Sequence, residues 1–190
     1  MHSISESGKD IPSNKKALTR EQLRAAGKAL RDKIARSSHG SWARSSNEQD
    51  TVDMMIESSK GRLAELVPIR YGRMMQSPFA FYRGAASIMA ADLAITPSSG
   101  ILVQICGDCH LVNFGGFATP ERRIIFDIND FDETHSGPWE WDVKRVATSI
   151  VIAGRNNGFG KAETCQAAVT CVQSYREHLK TYAEMHLLQL

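Results

Sequence analysis

The sequence predicts a helix-rich α+β domain in which a small β-hairpin carries the functional residues. Apolar residues recur at helical spacing before residue 94 and again after residue 139. Between residues 101 and 128, short apolar runs are bounded by glycines and turn residues, a pattern typical of strands. Acidic side chains stand next to or at the end of two of these runs, at Asp108 and Asp127. We therefore expect the hairpin region to hold the chemistry.

Composition limits the class of protein. Hydrophobic residues make up 42% of the chain and charged residues 23%, which is ordinary for a soluble globular domain. A net charge of only +2 argues against a dedicated nucleic-acid binder. Residues 1–18 are polar and are expected to form a disordered leader, without a secretory signal. No apolar run is long enough to span a membrane, so we expect a cytoplasmic protein with reduced cysteines and leave its oligomeric state open.

Residues 19–66 are expected to form N-terminal helices. Thr19 and Gln22 have the spacing of a capping box and predict a helix start. A second helix is predicted over residues 50–66, with Pro68 closing it. The rest of the chain, residues 67–190, is predicted to be the catalytic core.

Within this core, residues 69–84 are expected to form an irregular connector, because Gly72 and the Ser77-Pro78 pair interrupt it. The elements predicted after it are a helix at 85–93, a buried strand at 101–106, strands at 113–117 and 123–128, and helices at 139–157 and 161–188. The inward faces predicted for the last two helices are Trp139, Val143, Val146, Ala147, Ile150 and Val151, and then Ala168, Val169, Val172, Tyr175, Leu179 and Tyr182.

The hairpin brings polar residues to one end of a small sheet. One strand delivers Asp108 into a loop, and the returning strand delivers Asp127 at its end, with Asn113 between them. Phosphoryl transfer requires one carboxylate to orient the acceptor hydroxyl, and further oxygen ligands to hold a magnesium ion on the phosphates. The arrangement indicates that chemistry.

Asp108, His110 and Asn113 resemble the Asp-x-His-x-x-Asn catalytic loop of aminoglycoside and choline phosphotransferases, and Asp108 and Asn113 also have the offset found in protein kinases. Asp127 stands where those enzymes have a metal-binding Asp, and Asp142 resembles a structural Asp that follows it. The resemblance implies a protein-kinase-like lobe with ATP as phosphate donor and Mg²⁺ or Mn²⁺ as cofactor. It also implies catalytic roles for Asp108, His110 and Asn113, and metal ligands in Asn113 and Asp127.

A closer resemblance covers residues 66–160. The strings at 68–74, 77–84 and 137–142 are similar to a bacterial family labelled domain of unknown function 2252, which is grouped with the kinase-like fold. Members of that family are roughly twice this length. The resemblance therefore implies an incomplete domain, truncated at the C-terminus, and it implies the fold more than any activity.

The function expected from these patterns is ATP-dependent transfer of phosphate to a hydroxyl of a small molecule or a protein. Two alternatives remain open. A pseudoenzyme that binds nucleotide or a partner is favoured by the lack of a Gly-x-Gly-x-x-Gly loop before Asp108 and of a strand Lys paired with a helix Glu. A metal-dependent phosphohydrolase could use the same carboxylates.

Several side chains have two interpretations. His110 is either a base or, as the kinase analogy favours, a residue that orders the loop. Asp130, beside Asp132 and Glu133, belongs to a solvated turn or to a second cation site. Arg83 either contacts a phosphate of the nucleotide or, as is favoured, has a salt-bridged structural role, and the same two interpretations apply to Arg70 and Arg73. For Trp139 and Trp141, packing is favoured over stacking on a substrate. The motif Cys106-x-x-Cys109-His110 could attach haem, bind zinc or form a redox pair, but packed thiols are the favoured interpretation.

Overall fold

The computed structural model describes residues 18–43 and 50–185. Helix α1 (Arg20–Lys33) begins as predicted, since the Thr19 side chain accepts from the backbone N–H of Gln22 and the Gln22 side chain accepts from the backbone N–H of Thr19. This capping box satisfies N–H groups that a helix start leaves unpaired. The predicted disordered leader lies outside the described residues, except for Leu18.

The predicted helix over residues 50–66 is wrong in its extent. Helix α2 (Thr51–Glu57) is short, and the chain then turns through Gly61, whose φ of +80° suits glycine. After a 3₁₀ turn at Ala64–Leu66, helix α3 (Val67–Met74) begins with Pro68 in its first turn. Proline is tolerated there because the N–H that it lacks has no intrahelical partner. Pro68 thus starts a helix instead of closing one.

The predicted irregular connector is also largely helical. Beyond α3, helix α4 (Pro78–Arg83) begins at Ser77, whose hydroxyl accepts from the N–H of Ala80 at 3.0 Å. A Ser-Pro pair marks a turn, but it also supplies a helix cap followed by a favoured first residue. Helix α5 (Ala86–Ala94) follows and agrees with the predicted helix. A small core of Met55, Met74 and Ala85, packed by Tyr71 and Ile88, joins these helices.

The strands form two separate antiparallel pairs in the described chain. Strand β1 (Leu102–Ile105) pairs with β4 (His135–Pro138), a strand that the sequence did not predict. The predicted hairpin is present as β2 (Phe114–Ala118) and β3 (Ile124–Ile128). The strand predicted to be buried is exposed along most of its length, and of its four residues only Ile105 is buried.

Helices α6 (Glu140–Asn156) and α7 (Lys161–Tyr182) pack against each other. The most buried positions of α6 include Arg145, Ser149 and Ala153, one helical turn apart, so the apolar face predicted for this helix is not its most buried one. In α7 only Thr164 is buried, and Val169, Val172, Tyr175, Leu179 and Tyr182 are exposed, contrary to prediction. The loop after β1 contacts the polar stripe of α6, which places the candidate site there.

Across the two described stretches of chain, no helix combines the length and apolar character that crossing a membrane requires.

Candidate functional site

The loop that follows β1 is held by a carboxylate of α6. Asp142 accepts hydrogen bonds from the backbone N–H groups of Cys106, at 2.7 Å, and Gly107, at 3.1 Å. Gly107 has a φ of +84°, and a Cβ there would collide with the backbone carbonyl of Glu133. Only glycine therefore suits this position, because it adopts a positive φ without strain and has no Cβ to clash with Glu133. This turn aims Asp108 back towards α6.

Asp108 forms a buried ion pair with Arg145. The Nε of Arg145 donates to Oδ1 of Asp108 at 2.7 Å, and the Nη2 of Arg145 donates to the same oxygen. The exposed fraction of the side chain is 11% for Asp108 and 2% for Arg145. The pair therefore reaches solvent almost only at its carboxylate end, and the other carboxylate oxygen, Oδ2, takes no bond from Arg145.

The guanidinium of Arg145 is itself fixed by α4 and α5. Its Nη2 donates to the carbonyl of Tyr82 at 3.0 Å, and its Nη1 lies 3.6 Å from Sδ of Met89. The guanidinium carbon lies 4.5 Å from the centroid of the Tyr82 ring, which is cation–π geometry. Burial raises the pKa of Tyr82 to about 12, so the phenol hydroxyl stays protonated beside the ion pair.

His110 is buried on the other side of Asp108. Its Nε2 lies 3.7 Å from Oδ2 of Asp108, and its Nδ1 is buried without a hydrogen-bond partner. Burial lowers the pKa of His110, the Asp108 carboxylate opposes that shift, and the guanidiniums of Arg145 and Arg83 add to it. His110 is thus neutral at neutral pH, and its approach to Asp108 is not an ion pair.

Asn113 joins the loop to the hairpin. Its side-chain N–H donates to the backbone carbonyl of Asp108 at 2.8 Å, and its backbone carbonyl accepts from the backbone N–H of Asn129 at 2.8 Å. The amide oxygen is the remaining polar atom of the Asn113 side chain. Asn129 directly follows β3, so the loop that carries Asp108 and the strand that carries Asp127 are connected through two successive hydrogen bonds.

Asp127 lies on β3 opposite Gly115 and is exposed, and one of its oxygens accepts from the N–H of Ile128 at 2.8 Å. Asp130 is exposed in the following turn, where it accepts from the N–H of Asp132 at 3.2 Å. Burial raises the pKa of Glu133, and the charges of Asp108, Asp130 and Asp132 add to that rise. The charges of Asp108, Asp130 and Asp132 therefore all act on Glu133.

Among the described residues, no three or more His, Cys, Asp and Glu side chains form a group that could hold a metal ion. Magnesium usually needs only one or two protein carboxylates, because waters and substrate phosphates supply its other ligands. The exposed carboxylate of Asp127 and the amide oxygen of Asn113 have the donor chemistry that such an ion requires. Asp130 could supply a further oxygen.

Arg83 lies at the end of α4, is exposed, and is close enough to His110 to lower the pKa of that imidazole. The ion pairs found among the described residues do not involve Arg83. Arg70, by contrast, donates to the carbonyl of Gly84 at 2.6 Å and to the hydroxyl of Ser59 at 3.3 Å. Arg70 therefore has a structural role, whereas the charge of Arg83 is available to an anion.

Cys106 and Cys109 are buried free thiols. Burial raises the pKa of Cys106 to about 11 and raises that of Cys109 further. Such thiols behave as small packed hydrophobes, which is the interpretation that the sequence favoured. Trp139 is likewise in packing contact, donating to the hydroxyl of Ser99 at 3.0 Å and stacking on Tyr175 with centroids 6.1 Å apart.

Four contributors were not predicted as site residues: Tyr82, Asn129, Arg145 and Ser149. The hydroxyl of Ser149 accepts from the N–H of Leu111 at 2.9 Å, so α6 holds the loop at a third point. Asp142, Arg145 and Ser149 are spaced three and four residues apart along α6. That spacing places polar groups on one face, and it is the signal that could have identified them.

The chain is similar to one known family. A family model described as an uncharacterised protein conserved in bacteria, DUF2252, matches residues 62–190, which include each site residue described above. No curated protein and no solved structure is significantly similar to the chain. Since the match covers more than half of the 190 residues, the chain belongs to the DUF2252 family.

Proposed function

We propose that the chain is the catalytic part of a kinase-like phosphotransferase that moves the terminal phosphate of ATP to a hydroxyl of a small molecule or a protein. The observation that carries this proposal is the linkage of Asp108, Asn113 and Asn129 through hydrogen bonds of 2.8 Å. It ties a candidate catalytic carboxylate to the strand bearing a candidate metal ligand. Phosphoryl transfer depends on such positioning, because the protein contributes little covalent chemistry.

In this proposal Asp108 orients the acceptor hydroxyl. Asn113 and Asp127 hold Mg²⁺ or Mn²⁺, which neutralises charge on the phosphates, and Asp130 is an additional candidate ligand. Arg83 supplies a cation for a phosphate of the nucleotide. His110, neutral and buried, orders the loop through its place beside Asp108. A cytoplasmic location suits both ATP and the free thiols.

A phosphotransfer assay tests the proposal. The chain is incubated with γ-labelled ATP, Mg²⁺ and a panel of hydroxyl-bearing small molecules and proteins, and the label is recovered as phosphorylated acceptor, free phosphate or intact ATP. Phosphorylated acceptor is the expected product. Asp108→Asn should lower transfer by roughly 10²–10⁴-fold per nucleotide-binding site while leaving nucleotide affinity nearly unchanged.

Asp127→Ala should weaken metal-dependent nucleotide binding as well as transfer, and Asp53→Asn, an exposed change in α2, is the matched control. Transfer by Asp108→Asn at the parent rate would reject Asp108 as the catalytic carboxylate. Free phosphate as the only product would favour the phosphohydrolase.

A second candidate, a nucleotide- or partner-binding pseudoenzyme, is favoured by one observation. The Asp108 carboxylate is mostly buried and already engaged by Arg145. A parent chain that binds ATP with Mg²⁺ and never transfers phosphate would establish this alternative.

A further inference from the structure

Asp108 presents two unequal carboxylate oxygens. Oδ1 accepts from both Nε and Nη2 of Arg145, whereas Nε2 of His110 lies 3.7 Å from Oδ2. Neither Arg145 nor His110 is within hydrogen-bond distance of Oδ2 through the atoms named above. Arg145 thus holds the carboxylate through Oδ1 and forms no hydrogen bond with Oδ2.

The guanidinium of Arg145, which holds the Asp108 carboxylate, has less freedom to rotate than that of a surface arginine. Arg145 is almost completely buried and is held by the Tyr82 carbonyl, the Tyr82 ring and the sulfur of Met89. Contacts on several sides leave its guanidinium little freedom to turn. The orientation of Asp108 is therefore set by α4, α5 and α6 together, and not by the loop alone.

We propose that Arg145 is a positioning residue for the transfer step. Arg145 holds Asp108 by Oδ1, so that Oδ2 alone accepts a hydrogen bond from the hydroxyl that is to be phosphorylated. The inference rests on the proposed function. In the step itself, the acceptor oxygen forms a bond to the terminal phosphorus of ATP, and its proton passes to Oδ2. The bond between that phosphorus and the bridging oxygen breaks, and ADP leaves with the electron pair.

Arg145→Lys tests this role, because lysine keeps the charge but cannot place two donors on Oδ1 and a third on the Tyr82 carbonyl. The turnover number, referred to the concentration of nucleotide-binding sites, should fall roughly 10–100-fold, since small misplacement of a reacting group is costly. The KM for ATP should stay within about twofold. A structural role alone would reduce the number of sites and leave turnover per site unchanged.

The matched control is Arg155→Lys, the same change on an exposed residue in the last turn of α6, which should retain parent turnover. Met89→Leu is a second variant in case Arg145→Lys does not fold, because it removes one support of the guanidinium at nearly constant volume. Met89→Leu should lower turnover several-fold with an unchanged KM for ATP.

Parent turnover per site in Arg145→Lys would overturn the inference while leaving the proposed function intact, and so would parent turnover in Met89→Leu when the lysine variant does not fold. A parent chain that yields no phosphorylated acceptor overturns the proposed function, and the inference with it. A fall in turnover confined to Arg145→Lys and Met89→Leu, absent in Arg155→Lys, supports it.

Discussion

Replacing Asp108 by asparagine measures how much the buried charge pair contributes to stability. The change keeps the size of the side chain and removes its charge. Arg145, with an exposed side-chain fraction of 2%, would then hold a buried positive charge without a counter-charge. The Tyr82 carbonyl and ring would remain as partners, but neither carries a full negative charge.

Removing one partner of a buried ion pair costs about 3–5 kcal/mol, because the remaining charge loses its compensation while staying out of water. For a chain of this length, each kcal/mol lowers Tm by about 2–4 °C. Asp108→Asn should therefore lower Tm by roughly 6–20 °C. Asp127→Asn alters an exposed carboxylate and should change stability by less than about 0.5 kcal/mol.

The assay is thermal and urea unfolding followed by circular dichroism, on the parent, Asp108→Asn, Asp127→Asn, Arg145→Met and the double variant Asp108→Asn/Arg145→Met. The double variant should be less destabilised than the sum of its two single variants, because it leaves no unpaired charge. Equal Tm values for Asp108→Asn and Asp127→Asn would refute the reasoning. Additive single effects would show that the two charges do not interact.

Two other measurements follow from the titratable groups. Because burial holds the pKa of His110 below 6.5, the unfolded chain binds more protons as pH falls below that value, and the free energy of unfolding should decrease from pH 7 towards pH 5. Urea titrations should show this decrease weakened in His110→Asn, and an equal slope in that variant would contradict it. At pH 8 a thiol reagent should modify exposed Cys165 first and half-buried Cys171 more slowly, and should reach Cys106 and Cys109 only on unfolding. Cys165→Ser should remove the fast phase, and its persistence would count against the assigned burial.

Local chemistry made part of this fold predictable. The capping box at Thr19 required only residues close in sequence, and so did the strand pattern around Ile125. The pair Ser77-Pro78 was misread because the same two residues suit a turn and a helix start. Only the residues that follow decide between them, and here they continue as α4.

The candidate site was predictable where its residues lie in one loop, as Asp108, His110 and Asn113 do. Arg145 was not predicted, because its role depends on a contact between α6 and a loop distant in sequence. An arginine in a helix that also carries Lys144 and Arg155 is most simply assigned to the solvent face. The pairing of β1 with β4 escaped prediction for the same reason, since it joins segments that are far apart in the chain.

The hydrogen bonds between α6 and the loop that follows β1 affect how tightly this site can bind a ligand. Asp142 binds the loop at Cys106 and Gly107, Arg145 binds it at Asp108, and Ser149 binds it at Leu111. The conformational entropy of these loop residues is thus lost when the chain folds, before any ligand arrives. A ligand that meets an ordered loop does not lose binding energy to ordering it. Affinity at this site then depends on the contacts that the ligand itself makes, and different ligands would meet the same ordered loop.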